Sequence, residues 1–161
     1  MKRFILTLMI SLFGCGIANN AKPEGAFQYY EYRSTTMREY PREYYRLENT
    51  AEQGLTLTWS KSNSPYTVMR VPAAAAEQVR SLINEYKLYR LKDSYRPPFD
   101  VKDGIMWHVY FKFDKGSVSC SADNAWPPEA LLSGIKAVNA YCNSLIEASG
   151  PEDIIEVRDN H

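Results

Sequence analysis

Histidine and cysteine are scarce in this sequence: 161 residues hold two of the first and three of the second. That is little material for a zinc site, which normally takes four such ligands. An excess of charge of one sign is missing as well. Lys plus Arg and Asp plus Glu each number 19, which argues against nucleic-acid binding, where a basic excess is the rule. No apolar run reaches the ~20 residues of a membrane-spanning helix. Internal repeats, heptads and a collagen-like glycine period are absent too. No glycine-rich phosphate loop, calcium-loop spacing or Gly-x-Ser-x-Gly turn is present. From the residues alone we expect no cofactor, no metal and no catalysis.

What remains is one domain's length of a foldable chain. It is 45% hydrophobic, with 12 tyrosines and 3 tryptophans. Residues 1–18 read as a signal peptide. Lys2 and Arg3 precede an apolar run from Phe4 to Phe13, diluted only by Thr7 and Ser11, which is the length of a signal-peptide core. Leu12-Phe13-Gly14-Cys15 resembles a bacterial lipobox, although Phe13 stands where a small residue is usual. Cleavage before Cys15 would make it the lipidated N-terminus, and this is the favoured reading. The rival is ordinary cleavage after Ala18, giving a soluble periplasmic or secreted protein. Cleavage before Cys15 removes two basic residues and no acid, so the mature surface is weakly acidic. Attachment to a membrane would then come from acyl chains, not from a basic face.

Export puts Cys120 and Cys142 in an oxidising compartment as an even pair. A bridge between them would be worth about 3 kcal/mol of chain entropy. The alternative is two buried free thiols packing as small hydrophobes.

Residues 19–26 read as a tether, 27–150 as a single α+β domain, and 151–161 as an acidic tail with a short strand at Ile154 to Val157. Strand signals fall at Phe27 to Arg33, Tyr44 to Glu48, Leu55 to Trp59 and Tyr66 to Val71. Pro72 opens a helix whose apolar stripe is Ala75, Val79, Leu82, Ile83 and Tyr86. Ser94 to Lys102 contains Pro97-Pro98, which forbids regular helix and central strand alike. The strongest strand is Ile105 to Phe113, with Trp107, Val109, Phe111 and Phe113 on one face and His108 and Tyr110 on the other. A hairpin at Asp114-Lys115-Gly116 returns through Val118 and Cys120. A second helix follows Pro127-Pro128, with Leu131, Ile135, Val138, Cys142 and Leu145 facing in. The order predicts one antiparallel sheet, meander plus hairpin, with two helices packed on one face.

Tyr95-Arg96-Pro97-Pro98-Phe99-Asp100-Val101-Lys102-Asp103-Gly104-Ile105-Met106-Trp107, followed by Asn124-Ala125-Trp126-Pro127-Pro128, resembles a pattern of small exported bacterial proteins of unknown function. They share an Asp-Gly pair, a Trp-bearing strand, a hairpin and an Asn-Ala-aromatic-Pro loop. The resemblance spans roughly residues 70–145. It implies an envelope protein, often a lipoprotein, and brings no catalytic residues.

Three functional readings follow. The first is a non-catalytic lipid-anchored envelope domain that binds or scaffolds an envelope protein or glycan. Its candidate surface is Tyr95, Asp100, Asp103, Asn124 and Trp126, because exposed Trp and Tyr give large contact area with a polar tip. The second is a small periplasmic hydrolase using His108 as base with Ser119 or Ser121 as nucleophile. The third is an inhibitor or immunity-type protein acting through the loop from Tyr95 to Asp103.

Overall fold

Alternation, strictest from Met106 to Asp123, leaves the sheet with one apolar face, and two amphipathic helices cover it. The computed structural model describes residues 21–99, 101 and 104–159. Its strands are β1 (Glu24–Thr35), β2 (Glu43–Thr50), β3 (Gly54–Lys61), β4 (Tyr66–Arg70), β5 (Ser94–Tyr95), β6 (Met106–Lys115), β7 (Ser117–Asp123) and β8 (Ile154–Arg158). The helices are α1 (Ala74–Glu85) and α2 (Glu129–Ala148). All eight strands form one sheet in the order β5-β7-β6-β1-β2-β3-β4-β8. Every pairing is antiparallel except β5 with β7. The architecture is α+β, as expected. Among the described residues no helix is long and apolar enough to cross a membrane.

The helices also carry the chain across the sheet. α1 leads from β4 to β5 near the opposite edge, and α2 leads back from β7 to β8. The return crosses six strand spacings, about 29 Å at ~4.8 Å each. α2 has 20 residues and is ~30 Å long at 1.5 Å per residue. Its inner stripe is Gly134, Ile135, Val138, Cys142 and Leu145. These pack on Tyr30, Tyr45, Leu47, Leu57, Val109 and Phe111, all removed from solvent. Two of those are tyrosines, and α2 answers both hydroxyls. Tyr30 donates to Asn139 at 2.9 Å and Tyr45 to Asn143 at 3.0 Å. The asparagines are one turn apart, about 6 Å of rise, which matches neighbouring strands ~4.8 Å apart. Gly134 lets α2 approach α1, since a Cβ there would overlap Tyr86 and Leu88.

Several boundaries differ from the sequence reading. β1 begins at Glu24, so the end of the expected tether is strand. It is held where Glu24 pairs with Lys115 and the Ala26 N–H donates to Asp114 at 2.7 Å. The short strand read within the tail at Ile154 to Val157 is β8, one residue longer, and it gives the ladder groups of β4 a partner. α1 begins at Ala74 rather than at Pro72. β5 lies at the start of the Pro97-Pro98 stretch but on the edge of the sheet, so it is not the central strand that the prolines forbid. Cys120 and Cys142 are both buried free thiols, with no bridge between them. Burial pushes each thiol up to about 12.

Candidate functional site

Trp107 marks the end of the sheet where the residues singled out from sequence collect. It is 3% exposed, on the inner face of β6, and its indole N–H donates to the Ala125 carbonyl at 2.9 Å. Trp126 stacks on it with ring centroids 5.7 Å apart and planes 9° from parallel. Tyr95 stacks on it at 6.3 Å and 28°. The structure therefore brings Tyr95 and Trp126 together through Trp107. Asn124 has a different task. Its backbone is left-handed, its Oδ1 accepts from the Ile105 N–H at 2.9 Å, and its own N–H donates to the Ile105 carbonyl at 3.0 Å. It clamps the loop before β6 to the loop after β7, and so fixes where Trp126 sits. Asp100, Asp103 and Cys15, with the rest of the signal segment, lie outside the described residues.

A hollow opens on each side of this row. The outer one, of about 380 Å³, is lined by Arg33, Tyr40, Arg96, His108, Ser121 and Asp123, among others. Arg33 reaches toward the Tyr40 hydroxyl at 3.4 Å and lies over its ring, 5.8 Å from the centroid. His108 Nε2 sits 3.2 Å from Ser119 Oγ. Ser121, which pairs with His108 across the ladder, lines the hollow. Partial burial lowers the His108 pKa and Arg33 adds to this, while Glu31 opposes it. Burial therefore favours the neutral imidazole. Ser119 stands within β7 rather than on a turn that would raise its hydroxyl above the sheet. Among the described residues no three His, Cys, Asp or Glu side chains come together to hold a metal.

Next to His108 the outer face carries a network that sequence reasoning did not find. The Tyr29 and Tyr44 hydroxyls both donate to Glu31. Arg46 lies 5.0 Å from the Tyr29 ring centroid and pairs with Glu48 at 2.8 Å. Burial, helped by Glu31, pushes Tyr29 well above its usual range and Tyr44 up to about 12. The signal available in sequence was the alternate positions of β1 and β2, where charged and aromatic residues share one face.

The inner hollow, of about 330 Å³, lies between the sheet and α2. Ser34, Glu43, Trp126, Lys136, Asn139 and Asn143 contribute to its lining. Comparison with family models, with curated proteins and with solved structures finds no match for this chain.

Proposed function

We propose that this protein is a non-catalytic cell-envelope domain, lipid-anchored through Cys15, that binds another envelope component at the Trp107 end of its sheet. One observation carries the binding role. Tyr95, Trp107 and Trp126 form a stacked row with a hollow of small-molecule size on each side. The anchor rests on the leader and on the resemblance of Leu12-Phe13-Gly14-Cys15 to a lipobox. Metabolic labelling with a radioactive fatty acid tests it: label that disappears in Cys15→Ala supports the anchor, and an unlabelled wild-type protein removes it. Capture of an envelope protein or glycan by wild-type protein, reduced by Trp126→Ala, supports the binding role. Capture indifferent to that change counts against it.

The contact between His108 and Ser119 favours one second reading, a hydrolase in which a neutral imidazole takes the serine proton. Turnover of a chromogenic ester that is abolished by both Ser119→Ala and His108→Gln would establish it. Turnover unchanged in either variant would dismiss it.

A further inference from the structure

Strand register lays two transverse rows of side chains across the uncovered face of the sheet at its Trp107 end. In the first, Arg33 stands opposite His108, His108 opposite Ser121, and Ser121 opposite Ser94. In the second, two residues along each strand, Thr35 stands opposite Met106 and Met106 opposite Asp123. Residues two apart share a face, and both rows line the outer hollow. The first row holds a guanidinium, an imidazole and two hydroxyls, with no carboxylate among them. Arg33 thus faces a group that can itself become a cation, and like charges directly opposite are destabilising unless an anion joins them. The acids nearest to it are already engaged. Glu31 accepts from the Tyr29 and Tyr44 hydroxyls. Asp123 accepts from the Asn124 side-chain amide at 2.8 Å. It also lies two strands across and two residues along from Arg33, about 12 Å between backbones. Among the described residues neither Arg33 nor Arg96 forms an ion pair. Arg33 makes one long contact with the Tyr40 hydroxyl, which leaves most of its five donors without a protein acceptor. Beside this cation Met106 presents a large apolar side chain that is half exposed.

We propose that the outer hollow binds a small monocarboxylate with an apolar body, its carboxylate on Arg33 and its body over Met106. Carboxylate oxygens only accept, and the Arg33 fork and the Ser94 and Ser121 hydroxyls all donate. A guanidinium meets a carboxylate through two parallel hydrogen bonds. Charge selects the carboxylate over a phosphate ester. Arg33 and Arg96 less Asp123 leave one positive charge in the lining while the imidazole is neutral, and a phosphate ester carries about −1.5 to −2 at pH 7. The volume of about 380 Å³ falls in the range of ~300–1,000 Å³ usual for small-molecule sites. The inference rests on reading this end of the domain as a binding surface, and it concerns the hollow that Trp126 does not line.

The test is a calorimetric titration of the intact protein, at low ionic strength, with benzoate, hexanoate, benzamide and inorganic phosphate. At least one of the two carboxylates should bind saturably with a Kd on the order of 1 mM. Benzamide, which has the shape of benzoate without its charge, should bind about tenfold or more weakly, and phosphate should bind more weakly than the better carboxylate. Arg33→Gln should weaken carboxylate binding about tenfold or more, and Arg33→Lys, which keeps the charge and loses the fork, should retain part of it. Arg38→Gln removes an exposed arginine of the same β1–β2 connection that is not part of the hollow, and it should change nothing. Far-UV circular dichroism and the urea midpoint establish that each variant is folded, and the comparison with benzamide needs no variant. No saturable heat with either carboxylate overturns the inference. So does benzamide binding equal to benzoate, phosphate binding tighter than both carboxylates, binding that survives Arg33→Gln, or an equal loss in Arg38→Gln. Failure here leaves fatty-acid labelling of Cys15 and Trp126-dependent capture of an envelope component standing.

Discussion

Gly134→Ala sets helix propensity against packing, and the structure decides the sign. Gly134 lies inside α2, where alanine is preferred by about 1 kcal/mol. Propensity alone therefore predicts a stabilised protein. Yet a Cβ at this position would overlap Tyr86 Cβ and Cγ and a Leu88 methyl. Tyr86 Cβ is fixed to the backbone at the end of α1 and has no rotamer to escape into. Leu88 is removed from solvent, within the core. Relief requires α1 and α2 to move apart, and overpacking of this kind costs about 1–3 kcal/mol. An overlap with a Cβ belongs at the upper end, so the net effect is destabilisation by roughly 2 kcal/mol once the ~1 kcal/mol propensity gain is set against it. Urea unfolding followed by circular dichroism measures this directly. Ala140→Gly at an exposed position of the same helix supplies the propensity term in place, as a loss of about 1 kcal/mol. If Gly134→Ala unfolds at or above the wild-type midpoint, the close approach of α2 to α1 is wrong.

Three further outcomes follow from the same structure. Cys120 and Cys142, buried and raised to about 12, should resist a thiol reagent at pH 8 in the native protein and both react in urea; rapid native labelling, or only one thiol in urea, contradicts this. Tyr30→Phe and Tyr45→Phe should each cost about 1 kcal/mol, and Tyr30→Phe should show coupling in a cycle with Asn139→Ala; purely additive losses would deny the hydrogen bond. His108 has a folded-state pKa below its unfolded value near 6.5. Its contribution to stability is complete above about pH 6.5 and is lost as pH falls through that value toward the folded pKa. The urea midpoint of His108→Gln should therefore fall less steeply than wild type between pH 7 and 5, and parallel curves would exclude the assignment.

Period-two alternation made the sheet readable where one face is wet. From Ile105 to Phe113 it separates Trp107, Val109, Phe111 and Phe113 from His108 and Tyr110, and the structure keeps that division. The helical stripes were legible for the same reason, because Ala75, Val79 and Ile83 are buried in α1 as their spacing requires. β5 was not, since two residues carry no period. It is set by distant partners, the Ser121 N–H on the Asp93 carbonyl and the Tyr95 ring on Trp107. The end of β1 was hidden by its own chemistry. Ser34 and Thr35 lie just beyond the strand signal that ends at Arg33, yet both are buried. Only the register that places Ser34 opposite Trp107 shows what it faces. The Glu31 network was legible only as an outer face of charged and aromatic residues, because Glu31 and Tyr44 meet across strands through a pairing that no local pattern specifies.

Seven of the twelve tyrosines, one feature in the sequence, divide in the sheet into two tasks. Tyr30, Tyr32 and Tyr45 face inward, and two of their hydroxyls are consumed in fixing α2. Tyr29, Tyr44, Tyr66 and Tyr110 face outward, and they are engaged as well. Tyr29 packs edge-on against Tyr110 at 5.5 Å, Tyr44 against Tyr66 at 5.1 Å, and Glu31 takes the hydroxyls of Tyr29 and Tyr44. Rings tied to one another and to a shared carboxylate are poor adaptive contacts, because a ligand would have to break what already satisfies them. Trp126 differs. Its loop is clamped at Asn124 and Ala125, its ring is parallel to a buried neighbour, and about half of its surface still meets solvent. An aromatic that is rigidly held and still uncovered has already lost most of the entropy that binding would otherwise cost. The same clamp that makes Asn124 structural is therefore what makes Trp126 fit for recognition.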